Sequence, residues 1–263
     1  MFSPLMMKYM ESTCSSLGEL TRDLNTDVWK TTVPELASDH RFVRHGILAA
    51  ASLPDRTLAL EHHNIGLSMF IEALNSSNNV DALFAHQCMM LVFSYGYLEK
   101  NLSGFRDVVI IIRGTSVVIQ EKGEPKGKLS ALMKDNPEAT SVGMQILTDK
   151  LLGSISAMVY HDLYVDAIKR LEYSLGVAKD PQYRQIIANN VWFELPNEFL
   201  NLVWLGEPLA LAIMAGFGVA LHWSCNDNAF TKGWGKGIVE SVGKVLGPEW
   251  DDIMIWAMTE VAD

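Results

Sequence analysis

The sequence predicts an all-α fold: a single helical-bundle domain, residues 1–263, enclosing a hydrophobic pocket. Three observations predict it. Hydrophobic residues make up 49% of the 263, enough to bury a large core and offset the ordering entropy. Apolar residues recur mostly at helical spacing, in segments punctuated by Pro, Gly and Asn. Strand signals are scarce; the best is "DVVIIIRGTSVVI", Asp107 to Ile119, whose β-branched run suits a buried strand or a buried helix.

Taken in order, "HRFVRHGILAAASL" is apolar-periodic, with Asp39 before it as a predicted N-cap and Pro54 as its stop. "RTLALEHHNIGLSMFIEALNSS" places Leu60, Ile65, Leu67, Ile71 and Leu74 along a helical face. "NNVDALFAHQCMMLVFSYGYL" is a further helix, capped by Asn78 or Asn79. Gln120 to Ser141, rich in Gly, Pro and charge, reads as a surface loop. "TDKLLGSISAMVYHDLYVDAIKRLEYSLGVAK" reads as a long helix or helix pair, and Pro196 and Pro208 punctuate the stretch after it. Gly206 to Asp227 is long and apolar enough to span a bilayer, but it is bounded by acids on both sides and is the only such run, which argues against a membrane span. The last helix, "PEWDDIMIWAMTEVA", carries Pro248 in its first turn and acids near its positive end.

The net charge of −10 opposes direct nucleic-acid binding, which relies on Lys and Arg neutralising phosphates. Cys14, Cys88 and Cys225 are odd in number and widely spaced. They supply neither a disulfide framework nor a zinc site, and they fit an intracellular setting, cytoplasmic or nuclear.

No metal site is expected. His62 and His63 are adjacent, so on a helix they point about 100° apart, whereas a metal pair wants i,i+4 spacing. No G-x-S-x-G elbow is present, and the glycines from Lys232 to Gly247 lack the strand and G-K-[ST] ending of a phosphate loop. They suit tight turns and close helix packing instead. No cofactor motif is visible. Glu207 in "GEP" is placed to favour a helix N-terminus. His222 lies late in the apolar run beside Trp223 and Cys225, with no charged neighbour until Asp227. Met90, Phe93, Tyr95 and other methionines and aromatics in the apolar segments suit an adaptable cavity.

The order of these segments resembles the C-terminal effector domain of fungal zinc-binuclear-cluster transcription factors of the sterol-uptake-regulator type. The resemblance is carried by "VWKTTVPELASDHRFVRHGILAAASL", "NNVDALFAHQCMMLVFSYG", "FRDVVIIIRGTSVVI", "EPLALAIMAGFGVALHWSC" and "GWGKGIVESVGKVLGPEWDDIMIW". It implies a helical bundle with a hydrophobic pocket, occupied by a sterol in that branch. It also implies that Met214, Ala215, Gly216, Phe217, Gly218, His222 and Trp223 wall the pocket. The family's six-cysteine cluster is missing from the sequence, so the chain is expected not to read DNA itself.

The function expected is binding of an apolar small molecule of terpenoid, sterol or polyketide kind by a protein repurposed as a cofactor-independent biosynthetic cyclase or pericyclase (Diels-Alder type) or isomerase, in which the closed pocket folds a reactive substrate and excludes water. Polar groups for that role are His222, Asp227, Tyr95 and Arg113, with Trp223, Phe93 and Met90 among the ligand contacts. The alternative is a ligand-sensing transcriptional regulator that acts through a partner protein. An exposed apolar helix face would favour a homodimer.

Overall fold

The computed structural model describes residues 4–21, 28–126, 128–133, 151, 153, 160–184 and 186–262. Among them every regular element is helical and no strand occurs. The all-α expectation is met, and the ambiguous run at Asp107–Ile119 lies inside a helix, Leu102–Lys122 (α7). The chain's contacts cluster into two compact units. The first comprises Met1–Leu98, Asp107–Asp135 and Asn228–Phe230; the second comprises Glu99–Arg106, Asn136–Asp227 and Thr231–Asp263.

The first unit begins with Pro4–Lys8 (α1) and Cys14–Thr21 (α2), joined by a wider π turn. Val33–Asp39 (α3), Arg41–Ala51 (α4), Arg56–Ser76 (α5) and Val80–Tyr97 (α6) come next. Asp39 is the last residue of α3 rather than the cap of α4. That cap is His40, whose extended backbone (φ −117°, ψ 103°) breaks the helical run between α3 and α4. α4 stops before Pro54, and Asp55 caps α5 by accepting the Leu58 amide at 3.1 Å. Asn79 caps α6 by accepting the Ala82 amide at 3.0 Å.

Close approach of α4, α5 and α6 depends on two glycines. A Cβ at Gly46 would stand 2.8 Å from Met89 Cβ, and one at Gly66 would stand 3.1 Å from both His45 Cβ and His86 Cε1. Near the N-terminus the buried Tyr9 hydroxyl donates to Trp29 O at 2.7 Å, and Trp29 Nε1 donates to Thr21 Oγ1 at 2.7 Å. Both aromatic rings are thereby buried with their polar atoms bonded. α7 continues to Lys122, so the segment read as a loop from Gln120 starts slightly later. It includes a 3-10 turn at Leu129–Met133, and residues 127 and 134–141 lie outside the described residues.

The second unit contains His161–Val177 (α8), Val191–Glu194 (α9), Asn197–Leu205 (α10), Pro208–Cys225 (α11), Trp234–Gly243 (α12) and Asp251–Glu260 (α13). Most of the helical stretch expected ahead of α8 lies outside the described residues. α10 ends at Gly206, whose φ of +81° makes a left-handed cap. Glu207 then caps α11 and Pro208 starts it.

α11 is the centre of this unit. It is long and apolar enough to cross a membrane, yet 83% of it is buried inside the protein. It is hydrophobic all round because α8, α10, α12 and α13 surround it. Phe105, Trp192, Phe217 and Trp234 form an aromatic cluster there, with ring centroids 4.8 to 5.7 Å apart along successive pairs.

Candidate functional site

The residues nominated from sequence divide between the two units. Met90, Phe93, Tyr95 and Arg113 belong to the first; Met214, Ala215, Gly216, Phe217, Gly218, His222, Trp223 and Asp227 belong to the second. On α11, Met214 and Ala215 are fully buried. Leu171 of α8 packs against Gly216, where an added Cβ would lie 2.7 Å from Leu171 Cδ2. Gly218 faces α12, with Val239 Cγ2 and the Gly235 carbonyl 3.0 and 3.1 Å from its Cβ direction. Phe217 meets Trp192 edge-on, with centroids 5.4 Å apart. The backbone at His222 is the other half of this close approach, because a Cβ at Gly235 would lie 2.5 Å from His222 N. The helix-interior glycines therefore serve helix packing at these contacts.

The C-terminus of α11 is held electrostatically. Arg184 donates from Nε to Ser224 O at 2.9 Å and from a terminal nitrogen to the Asp227 carboxylate at 2.8 Å. A cation at the negative end of a helix is stabilising. Asp227 is thus an orienting partner for Arg184, with its own side chain 70% exposed. Trp223 is half-buried and carries Lys179 Nζ over its ring at 4.1 Å.

In the first unit, Phe93 is buried between two stacked neighbours. His63 lies 4.1 Å from it and nearly parallel, at 7°, and Tyr97 lies 4.8 Å away at 17°. Tyr95 is fully buried, whereas Met90 and Arg113 are half-buried.

Three clefts in the first unit are lined by described residues. One has a volume of about 370 Å³, within the usual range of small-molecule sites. Its polar lining residues are Lys8, Ser12, Thr13 and Ser16 from α1, α2 and the turn between them, and the rest of the lining is Ala50, Ala51, Leu53 and Pro54 at and after the end of α4, with Gly96, Ala229 and Phe230. The chain tip bearing Ala229 and Phe230 is tied in by Asn228, whose side-chain amide donates to Ser16 O at 2.8 Å. The other two are a cleft of about 390 Å³ at Asn78–Asp81 and Lys126 and one of about 340 Å³ around Arg56, Glu61 and Tyr97.

Sequence reasoning missed a cluster of imidazoles. His62 and His63 do point apart, but each finds a partner on another helix. His45 Nδ1 and His62 Nδ1 lie 3.2 Å apart, so in the neutral pair one ring donates to the other. His86 is buried with neither ring nitrogen hydrogen-bonded to another residue. Burial pushes its pKa down to about 3, and the nearby Phe42 backbone opposes that shift only in part. Burial also lowers His63, and it lowers His45 together with the nearby charges of His62, Arg41 and Arg44. The signal that could have found this group is the clustering of five of the seven histidines between positions 40 and 86. Among the described residues no three His, Cys, Asp or Glu side chains converge in a way that would hold a metal. The thiols of Cys88 and Cys225 are pushed up to about 12 by burial, which makes both poor nucleophiles at neutral pH. No protein-family model and no curated protein sequence matches the chain.

Proposed function

We propose that the protein binds a small molecule with an apolar body and a polar or anionic head in the cleft between α1, α2 and the end of α4. The observation that carries this reading is the mixed lining of the cleft: one lysine and three hydroxyl residues share it with Ala50, Ala51, Leu53, Pro54 and Phe230. Lys8 would neutralise a carboxylate or sulfate, the hydroxyls would bond the head group, and the apolar residues would cover a ring system or chain. The effector-domain resemblance supports the same ligand class of sterol, terpenoid or polyketide-like molecules.

Binding is favoured over turnover. None of the three clefts is lined by Tyr95, Arg113, His222 or Asp227, the side chains nominated for acid–base work. Asp227 is already engaged by Arg184. A cofactor-independent cyclase remains the second use of such a pocket, and product analysis after incubation with polyene substrates separates it from a binding protein.

The test is native mass spectrometry of the purified chain, followed by titration with hydroxylated and carboxylated sterols and terpenoids. A one-to-one complex is expected, weakened by Ser12→Trp at the exposed rim and, for anionic ligands, by Lys8→Met. If no such molecule binds, or if it binds equally well to both variants, the cleft is not the site.

A further inference from the structure

We propose that the imidazoles of His45, His62, His63 and His86 form an acid-opened latch on the layer built by α4, α5 and α6. All four rings make contacts in a packed interface, and charging them would work against that packing. His86 sits in a notch left by Gly46 and Gly66, where added Cβ atoms would lie 3.1 Å from its Nδ1 and Cε1. It meets Phe42 edge-on at 5.5 Å and lies tilted on Phe70 at 4.8 Å. A proton there would create a buried cation with no anion to meet it. The His45–His62 pair holds α4 to α5 through a bond that needs one ring to accept, and a doubly protonated pair has no acceptor. His63 joins α5 to α6 by stacking on Phe93.

The surroundings supply no compensating anion. The charged and titratable groups on the packed elements are Lys8 of α1, Tyr9 and Glu11 of the π turn, Glu35 and Asp39 of α3, the cap His40, Arg41 and Arg44 of α4, Arg56, Glu61 and Glu72 of α5, Asp81, Cys88, Tyr95 and Tyr97 of α6, and Arg106, Asp107, Arg113, Glu121 and Lys122 of α7. Among the described residues no carboxylate makes an ion pair with any of the four rings. Arg41 and Arg44 add positive charge beside His45. His45 and His63 oppose a charge on His86.

The sign comes from linkage. His45, His63 and His86 have folded pKa values below the ordinary imidazole value, with burial the largest cause in each. The unfolded or opened layer therefore takes up protons first. The latch is fully closed above about pH 6.5 and weakens as pH falls below that value. The closed-to-open ratio drops by up to about tenfold per pH unit for each such ring. For His86 the loss continues down towards its folded value of about 3.

Opening has a consequence for the cleft. Leu53 packs on the cluster containing Phe93, and Leu53 and Gly96 line the cleft. Acid would loosen that wall and release the ligand. This consequence rests on the binding reading above, whereas the latch itself does not.

The test is hydrogen exchange by mass spectrometry on the full ligand-free chain, from about pH 7.5 to about pH 5, where most carboxylates stay ionised. After correction for intrinsic exchange, protection of α4, α5 and α6 should fall with pH in the wild type. In His86→Leu or His63→Phe the slope should be lower by about one proton, a tenfold smaller loss per pH unit. A histidine with only a packing role would shift protection equally at every pH. His63→Phe keeps the stack on Phe93, so it carries the test if His86→Leu fails to fold. A slope reduced in either variant supports the latch. Wild-type protection that is flat over this range, or slopes unchanged in both variants, overturns it. Because no ligand is present, failure of the binding reading leaves this outcome unaffected.

Discussion

The Tyr164 hydroxyl donates to the Glu207 carboxylate at 2.5 Å, and the oxygen it reaches also accepts the Ala210 amide at 2.9 Å. One carboxylate oxygen thus caps α11 and ties it to α8. Burial and the adjacent Glu207 raise the Tyr164 pKa, so the phenol stays a donor through the neutral range. Tyr164→Phe should cost about 1.5–3 kcal/mol, the net value of a hydrogen bond to a charged acceptor. Glu207→Ala should cost more, since it removes the cap as well, itself worth about 1 kcal/mol. Chemical denaturation of both single variants and the double variant measures this. Additive losses would show that Tyr164 and Glu207 do not interact and would sink this account.

Glycine substitutions should separate by what a Cβ would meet. At Gly235 it would collide with the Gly218 carbonyl oxygen, which is backbone and cannot yield unless α11 and α12 separate. Gly235→Ala is expected to cost about 3 kcal/mol. Gly216→Ala meets only the flexible end of Leu171 and should cost about 1–2 kcal/mol. Gly114, inside α7, has nothing within 4 Å of the added atom, so Gly114→Ala should stabilise by about 0.5–1 kcal/mol. The shift in denaturation midpoint reads all three, and a different rank order would contradict the packing described for α11 and α12.

These contacts show what the sequence could and could not disclose. Helix starts at Asn79 and Glu207 were legible because N-cap chemistry is local: the side chain bonds an amide three residues on. His40 was not legible as a cap. Its ring nitrogen accepts from the side-chain amide of Asn79, 39 residues away, so no local pattern marks it. The β-branched run of α7 was ambiguous by periodicity, and the nearby Asn101, which accepts the Gly104 amide at 2.8 Å, is the local sign of a helix start. Gly216 and Gly218 are costly inside a helix, which points to a close approach there. Sequence could not tell a ligand from Leu171 or Val239, which come from other helices. The His45–His62 pair was invisible for the same reason: spacing within one helix tests only His62 against His63, whereas the pair depends on how closely Gly46 and Gly66 let the helices pack.

The C-terminal end of α11 gives the sharpest contrast between a residue's sequence promise and its structural position. Asp227 drew attention as the first charge after a long apolar run, and its carboxylate meets Arg184. That ion pair is largely solvated on the Asp227 side, so Asp227→Asn should cost less than about 1 kcal/mol. Arg184 is different. Its side chain is only 11% exposed, and its Nε bonds the Ser224 carbonyl in the last turn of α11. Arg184→Ala removes that bond, the cation at the helix end and the packing of the aliphatic stem, and should cost about 2–3 kcal/mol. Arg184→Lys restores the charge but not the forked geometry and should recover less than half of the loss. Thermal or chemical denaturation of the three variants checks the order. An Asp227→Asn loss as large as that of Arg184→Ala would mean that the ion pair, rather than the bond to Ser224, anchors the end of α11.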